Sequence, residues 1–139
     1  MAGVRLGYGM TADSGLLKKM SQAVQPWNVS SLAQAAGIAA LKETKFLEDT
    51  KALIKKERAY LKEQLESMGY FTIDSKTNYI LFKAEPDLAE KLLIKGIAIR
   101  KCDNYHGLSC GFYRIAVKAR KENEQLIAAI QNLRSGERK

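Results

Sequence analysis

The sequence predicts a mixed α+β chain, and three observations carry that reading. Residues up to Met68 repeat their apolar side chains at helical intervals. From Tyr70 onward the pattern changes to short apolar runs of strand type set between helical stretches, in the order β, β, α, β, β, α. The composition is that of a packed domain, with 46% apolar residues in a chain of 139 and only 2 prolines and 10 glycines. Such an order builds a mainly antiparallel sheet with helices on one face. A chain of this size hides roughly 68–70% of its unfolded surface, so its core needs no disulfide staples.

The first run, Val4 to Tyr8, is apolar and strand-like. Asp13 is placed to cap a helix that reaches about Val24, and Pro26 then breaks the pattern. Either Asn28 or Ser30 can cap the second helix, where Leu32, Ala35, Ala36, Ala39 and Ala40 form a small-residue face suited to close packing. The third helix, about Lys45 to Met68, carries Leu47, Ile54, Leu61 and Met68 at seven-residue spacing and stops at Gly69. Phe46, Leu53 and Tyr60 widen that stripe beyond a coiled-coil seam, which favours packing on a globular body. Strands follow at Phe71–Ile73 and Tyr79–Phe82, a helix at Asp87–Lys95 ended by Gly96, strands at Ile97–Arg100 and Phe112–Val117, and a closing helix at Lys121–Leu133.

Several function classes lose support on composition and spacing. The longest apolar stretch, Ala35 to Leu41, is seven residues, far below the roughly 20 that a membrane helix needs. Two cysteines and no hydrophobic leader suggest a reducing compartment, with cytoplasm as the expectation. The net charge of +8 is spread along the chain with acids interleaved, more like a solvated face than a nucleic-acid footprint, which leaves a basic, noncatalytic nucleic-acid-binding module as the rival reading. Gly7, Gly9 and Ala12 imitate a dinucleotide fingerprint, but Trp27, Asn28 and Val29 stand where the ribose-binding acid belongs. Cys102, His106 and Cys110 offer three ligands at four-residue intervals without the fourth ligand or the close pair of a structural zinc site, so no metal is expected. A single histidine leaves no hydrolytic triad.

Three arginines are more informative, because each stands in or at the end of a strand-like run. Arg100 closes Ile97-Ala98-Ile99, Arg114 sits inside Tyr113-Arg114-Ile115-Ala116-Val117, and Arg5 lies between Val4 and Leu6 beside Gly7. A planar guanidinium is the natural clamp for carboxylate or phosphate. A strand-edge arginine facing solvent would leave the same pattern.

With their neighbours these residues resemble the C-terminal part of fold-type I pyridoxal-phosphate enzymes of the class I/II aminotransferase group. The likeness rests on Ala2-Gly3-Val4-Arg5-Leu6-Gly7-Tyr8, Thr77-Asn78-Tyr79-Ile80-Leu81-Phe82, and Tyr113 to Val117 followed by Glu122-Asn123-Glu124. Pro26-Trp27-Asn28-Val29, Ile99 to Tyr105 and Gly107-Leu108 are most similar to the branch of threonine-phosphate decarboxylases of cobalamin biosynthesis. The histidinol-phosphate aminotransferases, which share Arg5, Arg100 and Arg114, are the next branch.

The resemblance implies residues 1–44 as an edge strand and helices of the large cofactor-binding domain, and 45–139 as the small α+β domain with its long bridging helix. It implies pyridoxal 5'-phosphate as cofactor with Arg5 on its phosphate, Arg114 on the substrate carboxylate, Arg100 on the substrate's remote phosphate, and Tyr105 assisting. The partner is then a phosphorylated amino acid or amino alcohol, and the intact enzyme a homodimer. The family's Schiff-base lysine belongs several residues before Arg5, where this sequence has none. The expectation is therefore a C-terminal portion without a catalytic residue of its own, inactive alone.

Overall fold

In the computed structural model, which describes residues 2–136, the chain divides into two units, one ending at Glu48 and the other beginning at Asp49. The first unit opens with a single 3₁₀ turn, Ala2–Val4, and then has no regular structure until α1, Ser14–Ala23. The Asp13 carboxylate caps α1 by accepting from the Leu16 N–H at 3.0 Å. Of the two candidate caps for the next helix, Ser30 takes the role: its hydroxyl accepts from the Ala33 N–H at 3.2 Å and starts α2, Ser31–Ala40.

The strand expected over Val4 to Tyr8 does not form. Arg5 adopts a left-handed φ of 56°, which turns the backbone out of the extended region. Among the described residues the unit holds no second strand to pair with it.

The long helix α3, Thr44–Ser67, begins in the first unit and runs through the start of the second. Its buried residues are Glu57, Leu61 and Leu65, a set at four-residue steps. The seven-residue series from the sequence is therefore not the buried stripe. Phe46, Leu47 and Leu53 are exposed, because only the C-terminal half of the helix lies over the core of the second unit.

That core rests on a four-stranded sheet in the order β1-β2-β4-β3, every pair antiparallel. The strands are β1 Phe71–Ile73, β2 Tyr79–Lys83, β3 Arg100–Lys101 and β4 Phe112–Ala116. Helix α4, Leu88–Ile94, and helix α5, Arg120–Gly136, complete the unit. Side chains alternate along each strand. Ile80, Phe82, Tyr113 and Ile115 pack under the helices against Leu61, Leu65, Leu92, Leu126 and Ile130. Tyr79, Leu81, Lys83, Phe112, Arg114 and Ala116 take the opposite, open face.

Strand β3 departs from the expectation of Ile97–Arg100. The left-handed Gly96 closes α4 with its N–H on the Leu93 carbonyl, and the Ile97 N–H reaches the Leu92 carbonyl at 3.0 Å. This helix-end turn takes up the Ile97 N–H, and pairing with β4 begins only at Arg100.

Candidate functional site

Strand β4 is the centre of the site. Arg114 lies between the core residues Tyr113 and Ile115, so its side chain emerges on the open face. The register makes Arg100 of β3 its direct Cα partner. Directly opposed residues of an antiparallel pair have Cα atoms about 4.5–5.5 Å apart with side chains on one face. Like charges in such a pair repel. Among the described residues neither arginine forms an ion pair with a carboxylate. Aromatic rings support both instead: the Arg114 guanidinium carbon lies 4.8 Å from the Tyr79 ring centroid, and that of Arg100 lies 6.0 Å from the Tyr105 ring.

A cleft of about 420 Å³ adjoins the pair. It opens because Ile97–Ile99 do not pair with β4, and its walls are that segment, the two arginines, Lys118 and the first turns of α5. Two guanidinium groups on opposed residues of neighbouring strands have the chemistry to seat an anion with two charged ends, and Glu122 of α5 also lines the cleft.

Behind the seat the start of α5 is bolted to α3. The buried Glu57 carboxylate accepts from Arg120 Nε at 2.9 Å, Arg120 Nη2 at 3.0 Å and Asn123 Nδ2 at 3.1 Å. Arg120 lies over the Tyr60 ring at 3.7 Å, and Asn123 also closes the turn at Lys118, accepting from its N–H and donating to its carbonyl. The Arg120 hydrogen bonds hold the Glu57 carboxyl below the usual glutamate range, against the opposing effect of burial. The same bonds push the Arg120 guanidinium up. Tyr113, fully buried, donates its hydroxyl to the Glu85–Pro86 backbone, and burial pushes its phenol up.

The residues singled out in the sequence therefore fall into two places. Arg100, Arg114 and Tyr105 come together at the β3–β4 edge, Tyr105 on the loop between the strands and 43% exposed. Arg5 lies in the other unit, at the turn after the 3₁₀ segment, exposed and without a hydrogen bond or ion pair among the described residues. Cys102 is buried and Cys110 exposed, both free thiols, and no three metal-ligating side chains cluster among the described residues. No helix among those residues is long and apolar enough to cross a membrane.

Two features escaped the sequence reading. Tyr79 has the period of β2 as its signal, since it alternates with Ile80 and Phe82, but only the register brings it beside Arg114. The Glu57–Arg120–Asn123 bolt joins residues more than 60 positions apart and left no local signal.

Comparison with known proteins identifies the family and the fold. Residues 1–133 match the family Aminotransferase class I and II. The chain is 34% identical over 138 residues to threonine-phosphate decarboxylase from Salmonella typhimurium, covering 96% of this chain and 38% of that protein. The histidinol-phosphate aminotransferase structure from Clostridium acetobutylicum superimposes with a TM-score of 0.90 at 32% identity, over 98% of this chain and 42% of that one. A histidinol-phosphate aminotransferase from Sinorhizobium meliloti, solved in complex with pyridoxal-5'-phosphate, shares the fold with a TM-score of 0.70 at 22% identity, over 86% of this chain and 35% of that one. The chain thus spans somewhat over a third of the length of these relatives. With its α+β fold, its sheet topology and a family match along nearly its whole length, it belongs to the class I and II aminotransferase family.

Proposed function

We propose that this chain supplies the substrate-anion seat of a pyridoxal-phosphate enzyme acting on a phosphorylated amino acid, and that the reaction is decarboxylation of L-threonine O-3-phosphate. The observation that carries the reading is the opposed pair Arg100 and Arg114. A small substrate with a carboxylate at one end and a phosphate at the other matches two guanidinium groups on neighbouring strands. Arg114, in the centre of the sheet, holds the α-carboxylate. Arg100, at the edge beside the cleft, holds the phosphate, with the Tyr105 hydroxyl as an additional donor.

The residues fit the cofactor in part. Arg5 is an exposed cation without a hydrogen bond or ion pair among the described residues, suited to the cofactor phosphate, while the lysines nearest in sequence, Lys18 and Lys19, are exposed on α1. When bound, pyridoxal phosphate supplies an electron sink for cleavage at the substrate's Cα. The chain's own contribution is orientation. Decarboxylation and transamination break different bonds at that carbon, and Arg114 favours one or the other by where it holds the carboxylate. The identity to threonine-phosphate decarboxylase supports the first outcome. The superposition on a histidinol-phosphate aminotransferase supports the second as an alternative.

In the intact enzyme, Arg100→Ala should lower kcat/KM for L-threonine O-3-phosphate about ten- to a hundredfold more than for unphosphorylated L-threonine. Equal losses for both would refute the assignment. Release of CO₂ without a keto-acid acceptor identifies the decarboxylase, and acceptor-dependent turnover the aminotransferase. A polypeptide of these 139 residues alone is expected to turn over neither substrate, and measurable turnover would overturn that reading.

A further inference from the structure

We infer that Tyr79 is a positioning residue, its ring holding the Arg114 guanidinium in place to receive the substrate's α-carboxylate. The inference rests on the reading of Arg114 given above and deepens it. Tyr79 pairs with Ala116, and Arg114 pairs with Leu81, so the tyrosine is the diagonal cross-strand neighbour of the arginine on the open face. The guanidinium carbon sits 4.8 Å from the ring centroid. Among the described residues no hydrogen bond or ion pair orients Arg114, so this ring contact is what holds it. A cation over an aromatic face spends the face of the guanidinium and leaves its N–H edge for a carboxylate.

The ring itself stands on a rigid frame. The Val117 N–H donates to the Asn78 carbonyl at 2.8 Å, and the Thr77 hydroxyl donates to the Tyr79 carbonyl at 3.4 Å, pinning the backbone on both sides of the strand start. The phenol hydroxyl of Tyr79 has no hydrogen-bond partner among the described residues, in contrast to that of Tyr113. The ring face, not the hydroxyl, is therefore the working part. Tyr105 offers Arg100 a similar contact from a loop and at a longer 6.0 Å.

The test compares two affinities of the intact enzyme in steady-state kinetics: KM for O-phospho-L-threonine as substrate, and Ki for 1-amino-2-propyl phosphate, which lacks the carboxylate, as competitive inhibitor. Tyr79→Leu should weaken the carboxylate-bearing ligand about three- to thirtyfold and the other less than about twofold. Tyr79→Phe should restore the first affinity to within about twofold. Equal weakening of both ligands, no weakening of either, or failure of phenylalanine to rescue would each overturn the inference. Because Tyr79 is 36% exposed, thermal melts should show the variants folded. Arg114→Ala measured in parallel separates the two readings: if it too fails to discriminate the ligands, the assignment of Arg114 falls, and if it discriminates while Tyr79→Leu does not, only the role of Tyr79 falls.

Discussion

In the first unit, α1 and α2 are ten residues each and carry side-chain caps, yet Ala33 is the only buried residue among those described there. In the second, α4 is seven residues without a side-chain cap and buries Leu88, Ala89 and Leu92. Capping and propensity decide where a helix starts and stops, whereas burial needs an opposing surface. The sheet supplies that surface in the second unit. Leu32, Ile38, Leu41 and Phe46 of the first unit have the apolar side chains for a core but remain exposed.

The sharpest way to break this contrast is to truncate one side chain in each unit. Phe82→Ala, at 0% exposure between Tyr70 and Tyr113, should cost about 3–5 kcal/mol in urea unfolding. Leu32→Ala, at 81% exposure, should cost less than about 0.5 kcal/mol. Comparable losses would mean that the first unit has a core of its own.

A paired glycine experiment sharpens the same point. At Gly111 φ is 89° and an added Cβ would lie 2.6 Å from the Ala84 carbonyl oxygen, so Gly111→Ala should destabilise by more than about 1 kcal/mol. At Gly37, inside α2, the added methyl meets only the tip of the Leu6 side chain, which can swing aside. Gly37→Ala should be neutral or stabilise by up to about 1 kcal/mol, as read from melting temperatures.

The Glu57 bolt predicts a pH signature confined to the second unit. Its folded pKa lies below its unfolded value, so its contribution is fully present above the ordinary glutamate range and is lost as pH falls through that range toward the lowered folded value. Arg120→Met removes the largest cause of the shift and leaves burial, which pushes the carboxyl up, opposed only by the Asn123 hydrogen bond and the charge of Lys56, so this contribution should shrink or change sign. Urea midpoints measured from neutral pH into acid, variant against parent, check it. An unchanged acid slope in Arg120→Met would show that the pair does not govern the titration.

The smallest expected effect lies at the site. Removing one member of the like-charged pair, as in Arg100→Ala, should raise the urea midpoint slightly at low ionic strength. At about 1 M salt, where screening acts within about 3 Å, the gain should vanish. A loss of stability would mean that the Tyr105 ring contact of Arg100 outweighs the repulsion.

The sequence by itself determined the α+β class, the stop of α3 at Gly69, the Asp13 cap and the bounds of β1, because each depends on residues within one turn or one alternation. It also singled out Arg100 and Arg114, since a charge inside or closing an apolar strand pattern stands out locally. Only the tertiary structure decided the rest. The Val4–Tyr8 run is apolar enough for a strand but has no partner strand among the described residues of its unit, and the helix-end turn at Gly96 takes up the Ile97 N–H, so that pairing with β4 begins only at Arg100. The face of α3 that is buried follows from where the sheet lies, not from the seven-residue spacing. The facing of Arg100 and Arg114 across β3 and β4, and the place of Tyr79 beside them, follow from strand register, a relation between distant segments set by backbone pairing.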